Sequence, residues 1–314
     1  MLAAMDLPLD AVPPPDLEAK PEGFVVVVAP GDRIHFLDWG RPPAGQAPGV
    51  LLIHGLSQTA WTWAPVARRL ARLVRVVAMD LRGHGLSDAP TEGYHAAALA
   101  EDAVAVAEGS GLLPESDSRV VVAGHGFGAI VGTWAATALG SRCAGLVLVD
   151  GGWESLEQAT GMDAEEFLRD LDEPPEVMRS PTAFLADRAA FDPSTWDADQ
   201  ERAARATFVE THAGRVVPAT RPHAVEASVR AMFGYDPGEA LIRVAAPVVA
   251  LAAADDETGT RAVALETASS ARVAAGRSAI RSVSFGHDGH NLMRYRPAAV
   301  GAAILAATDG PASA

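Results

Sequence analysis

The run Gly124, His125, Gly126, Phe127, Gly128, Ala129 has the composition of a turn built for close backbone approach. It follows an apolar β-branched stretch and precedes a helical pattern, and that placement supports two chemistries. Read as G-x-G-x-x-A it is a dinucleotide fingerprint, whose glycines let a pyrophosphate reach the backbone N–H groups at a helix N-terminus. Asp150, ending the next strand, then stands roughly where a ribose-binding acid belongs. Read as G-x-S-x-G the same run is a nucleophile elbow with Gly126 in the serine position. An elbow holds its central residue at positive φ, which glycine reaches at little steric cost. A dinucleotide fingerprint usually opens its domain, whereas here four strands precede it. They carry polar motifs of their own: Leu51 to Leu56 with His54 and Gly55, and Asp80 to Asp88 with Arg82, Gly83, His84 and Gly85.

The elements that must position these residues follow from hydrophobic periodicity. Strands are expected at Phe24–Ala29 and Arg33–Trp39, joined by a turn at Pro30, Gly31 and Asp32. Val50–Ile53, Arg75–Met79, Val120–Ala123, Leu146–Val149, Val248–Leu251 and Ile280–Val283 follow as near-continuous apolar runs, suited to strands covered on both faces. Helical spacing marks Trp61–Leu73, the run after Gly126 with Phe127, Ile130, Val131, Trp134, Ala138 and Leu139 on one face, Ala262–Ala271 and Ala298–Ala307. Gly140 stands where the second of these should stop. Such alternation implies an α/β fold with a mostly parallel eight-stranded sheet between two helical layers. Residues 1–22, with the run Pro13, Pro14 and Pro15, read as an extended arm. Residues 23–150 and 241–314 form the expected core. Between them, after the sixth strand, strand signals vanish and 151–240 reads as a helical cap, with helices near 164–171, 182–189, 198–208 and 224–233.

The His54–Gly55 and Asp80–Asp88 motifs, the elbow, and Gly289, His290 and Pro297 near the end together resemble the α/β-hydrolase superfamily, in its capped esterase, lactonase and epoxide-hydrolase-like branch. The resemblance covers residues 24–308 and is weakest in the cap. It implies a nucleophile, an acid and a histidine in that chain order. The histidine is His290, with His287 a neighbouring competitor. The acid falls on Asp256, with Asp255 and Asp150 as alternatives, and would fix the imidazole tautomer and stabilise the imidazolium. The backbone N–H groups of Leu56 and Phe127 would form the oxyanion hole. Trp61, Trp63 and His125 are pocket candidates, while Asp80, Arg82 and His84 brace the loop after the fourth strand. Phe167, Phe184, Phe191, Trp196, Phe208 and Phe233 are available to line the pocket or to pack the cap.

Gly126 departs from the family pattern, because covalent catalysis needs a side-chain atom that attacks the substrate. Three readings follow. In the first, a His290–Asp256 dyad acts as a general base on a small, largely apolar ester, lactone or β-dicarbonyl. In the second, the protein is a non-catalytic pseudoenzyme that binds a small ligand. In the third, it is a serine hydrolase whose nucleophile has been replaced by glycine. Retention of the histidine and a suitable acid favours the first.

Composition narrows the partners. The 314 residues are 49% apolar, enough for one large domain or two ordinary ones. Net charge is −15, and residues 153–240 contribute −10 of it, from 18 acidic residues against 8 arginines. So acidic a chain is repelled by nucleic acid and anionic membranes, which leaves a small molecule as the expected partner. Cys143 is the single cysteine, which excludes an intramolecular disulfide and a cysteine zinc site, and neither metal nor cofactor is expected. The N-terminal MLAAMDLPLD lacks a basic signal-peptide start and no run of membrane-spanning length appears, so a soluble cytoplasmic protein is expected.

Overall fold

The structure is a computed structural model that describes residues 3–40, 48–171, 180–210, 212, 216–253, 259–286 and 288–308. A two-residue strand β1 (Ala3–Ala4) precedes β2 (Glu22–Val27), β3 (Arg33–Asp38), β4 (Gly49–Ile53), α1 (Ala64–Leu70), β5 (Val76–Met79) and α2 (Ala96–Gly109). Next come β6 (Val120–His125), α3 (Phe127–Leu139) and β7 (Cys143–Val149). An excursion then carries α4 (Leu156–Thr160), α5 (Ala164–Leu171), α6 (Pro181–Phe191), α7 (Ala198–Ala206), β8 (Phe208–Glu210), β9 (Val216–Pro218), α8 (Pro222–Phe233) and α9 (Pro237–Arg243). The chain returns through β10 (Val248–Ala253), α10 (Thr260–Ala274), β11 (Arg281–Phe285), α11 (Leu292–Tyr295) and α12 (Pro297–Leu305).

The sheet order is β1-β11-β10-β7-β6-β4-β5-β3-β2, parallel except where β3 pairs with β2 and β5. The eight expected strands are all present. The ninth, β1, comes from the arm and adds a parallel pairing of Ala3 with Arg281, and a 3₁₀ turn at Leu9–Ala11 interrupts the extended arm. Strand alternation divides the core in two. Leu51, Ile53, Val122, Leu146 and Leu148 face a cluster with α2 and α3. Val50, Leu52, Val121, Val147 and Val149 face the opposite cluster with α1 and α12. Both faces of the central strands are therefore covered, which is why their sequences read as unbroken apolar runs. Helix α3 stops at Gly140, whose φ of 55° closes it as expected.

Two expectations about the excursion need correction. It is not wholly helical: β8 and β9 form a separate antiparallel pair, and the expected helix over 198–208 ends at Ala206 because Phe208 and Val209 pair with Pro218 and Val217. The boundary at 240 falls inside α9, which packs against α3 and α10 of the main body. The aromatic residues of the excursion mostly pack on one another, Phe184 against Phe208 at 5.0 Å and Phe167 against Phe233 at 5.6 Å between ring centroids. Phe191 is exposed.

Candidate active site

The turn from β6 to α3 holds Gly126 at φ 53° and ψ −117°, the positive-φ region that an elbow needs at its central residue. Its flanking glycines serve the protein backbone rather than a ligand. A Cβ on Gly124 would lie 2.0 Å from the Gly128 carbonyl oxygen, and one on Gly128 would lie 2.3 Å from the Ile53 carbonyl oxygen. That crowding is the physical reason to set aside the dinucleotide reading, which needs the glycines open to a pyrophosphate.

Three elements converge on this turn. The first is the loop after β4, where a Cβ on Gly126 would come within 3.9 Å of Gly55 Cα. The N–H groups of Leu56 and Phe127 donate to no acceptor among the described residues. The Phe127 N–H is one of the orphan donors that every helix N-terminus carries. The second element is the loop before α11, which brings His290 over the elbow with Nε2 3.2 Å from the Cβ position of residue 126. The third is the end of β7, where Asp150 is buried at a strained φ of 48°.

His290 Nδ1 lies 2.6 Å from Asp150 Oδ2, across 140 residues of sequence. Of the three acids expected from sequence, Asp150 is the one the described structure brings to the histidine. The preferred Asp256 and the alternative Asp255, like the competitor His287, lie outside the described residues. The other oxygen of Asp150 accepts the Ala253 N–H at 2.9 Å and Arg261 Nη1 at 2.9 Å. Burial works to raise the Asp150 carboxyl, but the hydrogen bond to His290, the Arg261 charge and the Ala253 N–H outweigh it and hold the pKa below the ordinary value. Asp150 is thus an ionised acceptor, and His290 presents its Nε2 lone pair to the elbow when its Nδ1–H donates to that carboxylate.

His125, expected in the pocket, is instead buried under His290, with ring centroids 4.3 Å apart. Its Nε2 is 3.0 Å from the His290 carbonyl oxygen. Burial, helped by the nearby His290, pushes its pKa down to about 3, so it is a neutral brace for the His290 loop. Trp63, the other tryptophan expected in the pocket, is fully buried in the core beside α1. Trp61 is half-buried and lines a cavity of about 300 Å³ with His35, Thr59, Leu86 and Phe208, under Arg202 at 4.5 Å.

Asp80 accepts the N–H groups of Ala60 at 2.7 Å and Leu86 at 3.0 Å and pairs with His35 Nδ1 at 2.8 Å. Arg82 forms a buried bidentate pair with Asp102, both bonds 2.6 Å. These residues lock the loop after β5, and no atom of theirs is needed at the elbow. Sequence reasoning missed Gln58, which accepts the Gly55 N–H at 3.1 Å and donates to Asn291 Oδ1 at 2.7 Å, tying the loop after β4 to the residue after His290. It also missed Arg261 and its partner Glu154. None has a local signal, because each acts by a contact distant in sequence. Cys143 is buried, and burial raises its thiol pKa to about 12, which suits packing rather than chemistry. Among the described residues no group of histidines, cysteines and carboxylates could hold a metal, and no helix is long and apolar enough to cross a membrane.

The site thus combines, on a mostly parallel α/β sheet, a glycine turn at Gly126, a facing histidine and an acid at a strand end. The sequence model of the alpha/beta hydrolase family matches residues 50–303, and the chain belongs to that family. An uncharacterised protein of Mycobacterium tuberculosis is 41% identical over 86 residues, 27% of this chain and 24% of that protein. Bifunctional epoxide hydrolase 2 of Sus scrofa is 34% identical over 126 residues, 38% of this chain and 21% of its own length. The chain therefore spans only about a quarter of the length of these curated relatives. Among solved structures, E-2-(acetamidomethylene)succinate hydrolase superposes with a TM-score of 0.73 at 21% identity, covering 93% of this chain and 100% of that one, a likeness of fold.

Proposed function

We propose that this protein is a hydrolase that uses His290 and Asp150 as a general-base pair on a small, largely apolar ester, lactone or β-dicarbonyl, without a covalent intermediate. The observation that carries the reading is the placement of His290 Nε2 3.2 Å from the Cβ position of Gly126, with its Nδ1 on a buried carboxylate. A water occupying the space of a serine side chain gives its proton to Nε2 while its oxygen attacks the carbonyl carbon. The developing oxyanion takes hydrogen bonds from the Leu56 and Phe127 N–H groups. Collapse expels the alcohol oxygen of an ester or lactone, or the enolate carbon of a β-dicarbonyl; that leaving group recovers the proton from His290, and Asp150 stays ionised throughout. Residues 151–240 act as the cap over this chemistry, and their net charge of −10 disfavours anionic substrates.

The test is turnover of a panel of activated esters and lactones by the parent and by His290→Ala. Loss of activity in a variant with unchanged unfolding midpoint is the expected result, and equal turnover in both would refute the general-base role. The absent side chain at Gly126 favours one further reading, a ligand-binding pseudoenzyme, for which the panel would show saturable binding and no turnover in either protein.

A further inference from the structure

We propose that Arg261 is a positioning residue that keeps His290 in one tautomer by holding Asp150 Oδ2 on its Nδ1. The proposal rests on the Asp150–His290 reading of the site. Arg261 comes from the first turn of α10, a different element from those carrying the acid and the histidine. Its Nη1 lies 2.9 Å from Asp150 Oδ1, the oxygen that also accepts the Ala253 N–H at 2.9 Å. Its Nε lies 2.9 Å from Glu154 Oε1, and the guanidinium carbon sits 5.2 Å from the Trp153 ring centroid. A planar guanidinium held by a second carboxylate and laid over a fully buried indole has little freedom to turn.

The consequence runs through donor counting. With two donors on Oδ1, the lone pairs of Oδ2 are what Asp150 has left for its third partner, and His290 Nδ1 fills that place at 2.6 Å. An acceptor there requires the proton on Nδ1, which leaves the lone pair on Nε2, the nitrogen aimed at residue 126. Were Asp150 free to swing its carboxylate away from Nδ1, the imidazole would lose the acceptor that fixes its proton and would sample the opposite tautomer, whose Nε2–H cannot accept a proton. Glu154 is the anchor of the clamp, since it holds the guanidinium by the edge that Asp150 does not use.

The decisive experiment reads the tautomer directly, by ¹⁵N NMR of the His290 ring in the substrate-free protein at neutral pH. The parent shows the Nδ1–H form. Arg261→Gln shows a mixture of the two tautomers, and on a reactive ester its kcat falls about tenfold with KM little changed, as expected for misplacement of a reacting group. Arg261→Lys, which keeps the charge and reaches one oxygen, recovers part of both. Glu154→Gln, which removes the anchor and leaves the arginine, gives a smaller admixture of the second tautomer and covers the case in which Arg261→Gln does not fold. A pure Nδ1–H tautomer in both Arg261→Gln and Glu154→Gln would overturn the proposal. Because the tautomer is read without substrate, that failure is distinct from failure of the general-base reading, which shows as undiminished turnover in His290→Ala.

Discussion

Installing a serine at position 126 tests how much of a serine hydrolase this site retains. The backbone is already in the elbow conformation, at φ 53°. An L-residue there stores strain of about 1–3 kcal/mol, partly offset by about 0.4–1 kcal/mol from the smaller entropy of the unfolded chain, for a net loss of about 1–2 kcal/mol. The new Cβ would stand 3.2 Å from His290 Nε2 and 3.5 Å from Cε1, tighter than ordinary contact, so the imidazole must retreat by a few tenths of an ångström. His290 has room for this, since 57% of its side chain is exposed. After that retreat Oγ, one bond further out, lies within hydrogen-bonding reach of Nε2. Serine, histidine and oxyanion donors act as a unit, and loss of the nucleophile from a complete triad costs about 10⁶ in kcat. Allowing most of that for imperfect alignment, Gly126→Ser should gain at least about 10²-fold on p-nitrophenyl acetate over the parent. Burst kinetics and an acyl adduct at residue 126, seen by intact-mass spectrometry, are the accompanying signs. A folded Gly126→Ser protein with neither adduct nor rate gain would refute the claim that Leu56, Phe127 and His290 are arranged for acyl transfer.

Two predictions concern stability. His84 and His125 are buried, and burial depresses both to about 3. In the unfolded chain each takes up a proton near pH 6.5 that the folded state refuses, so their contribution is complete above that pH and lost as the pH falls toward 3. Each should cost about 2 kcal/mol between pH 6.5 and 5, visible as a lower urea midpoint, and His84→Gln should lose less stability over that range than the parent; a pH-independent midpoint over that range would contradict the assignment. The tryptophans should separate in the same assay. Trp63→Ala removes a fully buried core side chain and should cost about 3–5 kcal/mol, whereas Trp61→Ala, at a cavity wall, should cost well under half of that.

The two halves of the site differed in how far their sequence could be read. The elbow was legible because its signal is local: five residues fix a strand end, a positive φ and a helix start. Trp61 and Trp63 were less so, since both sit at helical spacing with apolar neighbours. Only the packing of α1 against the sheet sends one into the core and leaves the other at a cavity. The acid was the least legible. Asp150, Asp255 and Asp256 each stand at or after a strand end, and only the family resemblance ranked Asp256 first. The insertion's β8–β9 pair escaped notice because each strand has only three residues, too few to establish a period.

The sequence by itself determined the α/β architecture, the order of its strands along the chain, and a glycine turn between a strand and a helix at Gly126, because each follows from local periodicity or from the sterics of a single residue. Only the tertiary structure decided that His290 bonds Asp150, that His125 lies beneath it as a neutral brace, and that Arg261 and Glu154 clamp the acid. Those choices depend on which strand ends and loops the sheet order brings within 3 Å of one another, and separations of more than a hundred residues leave no trace in any local pattern.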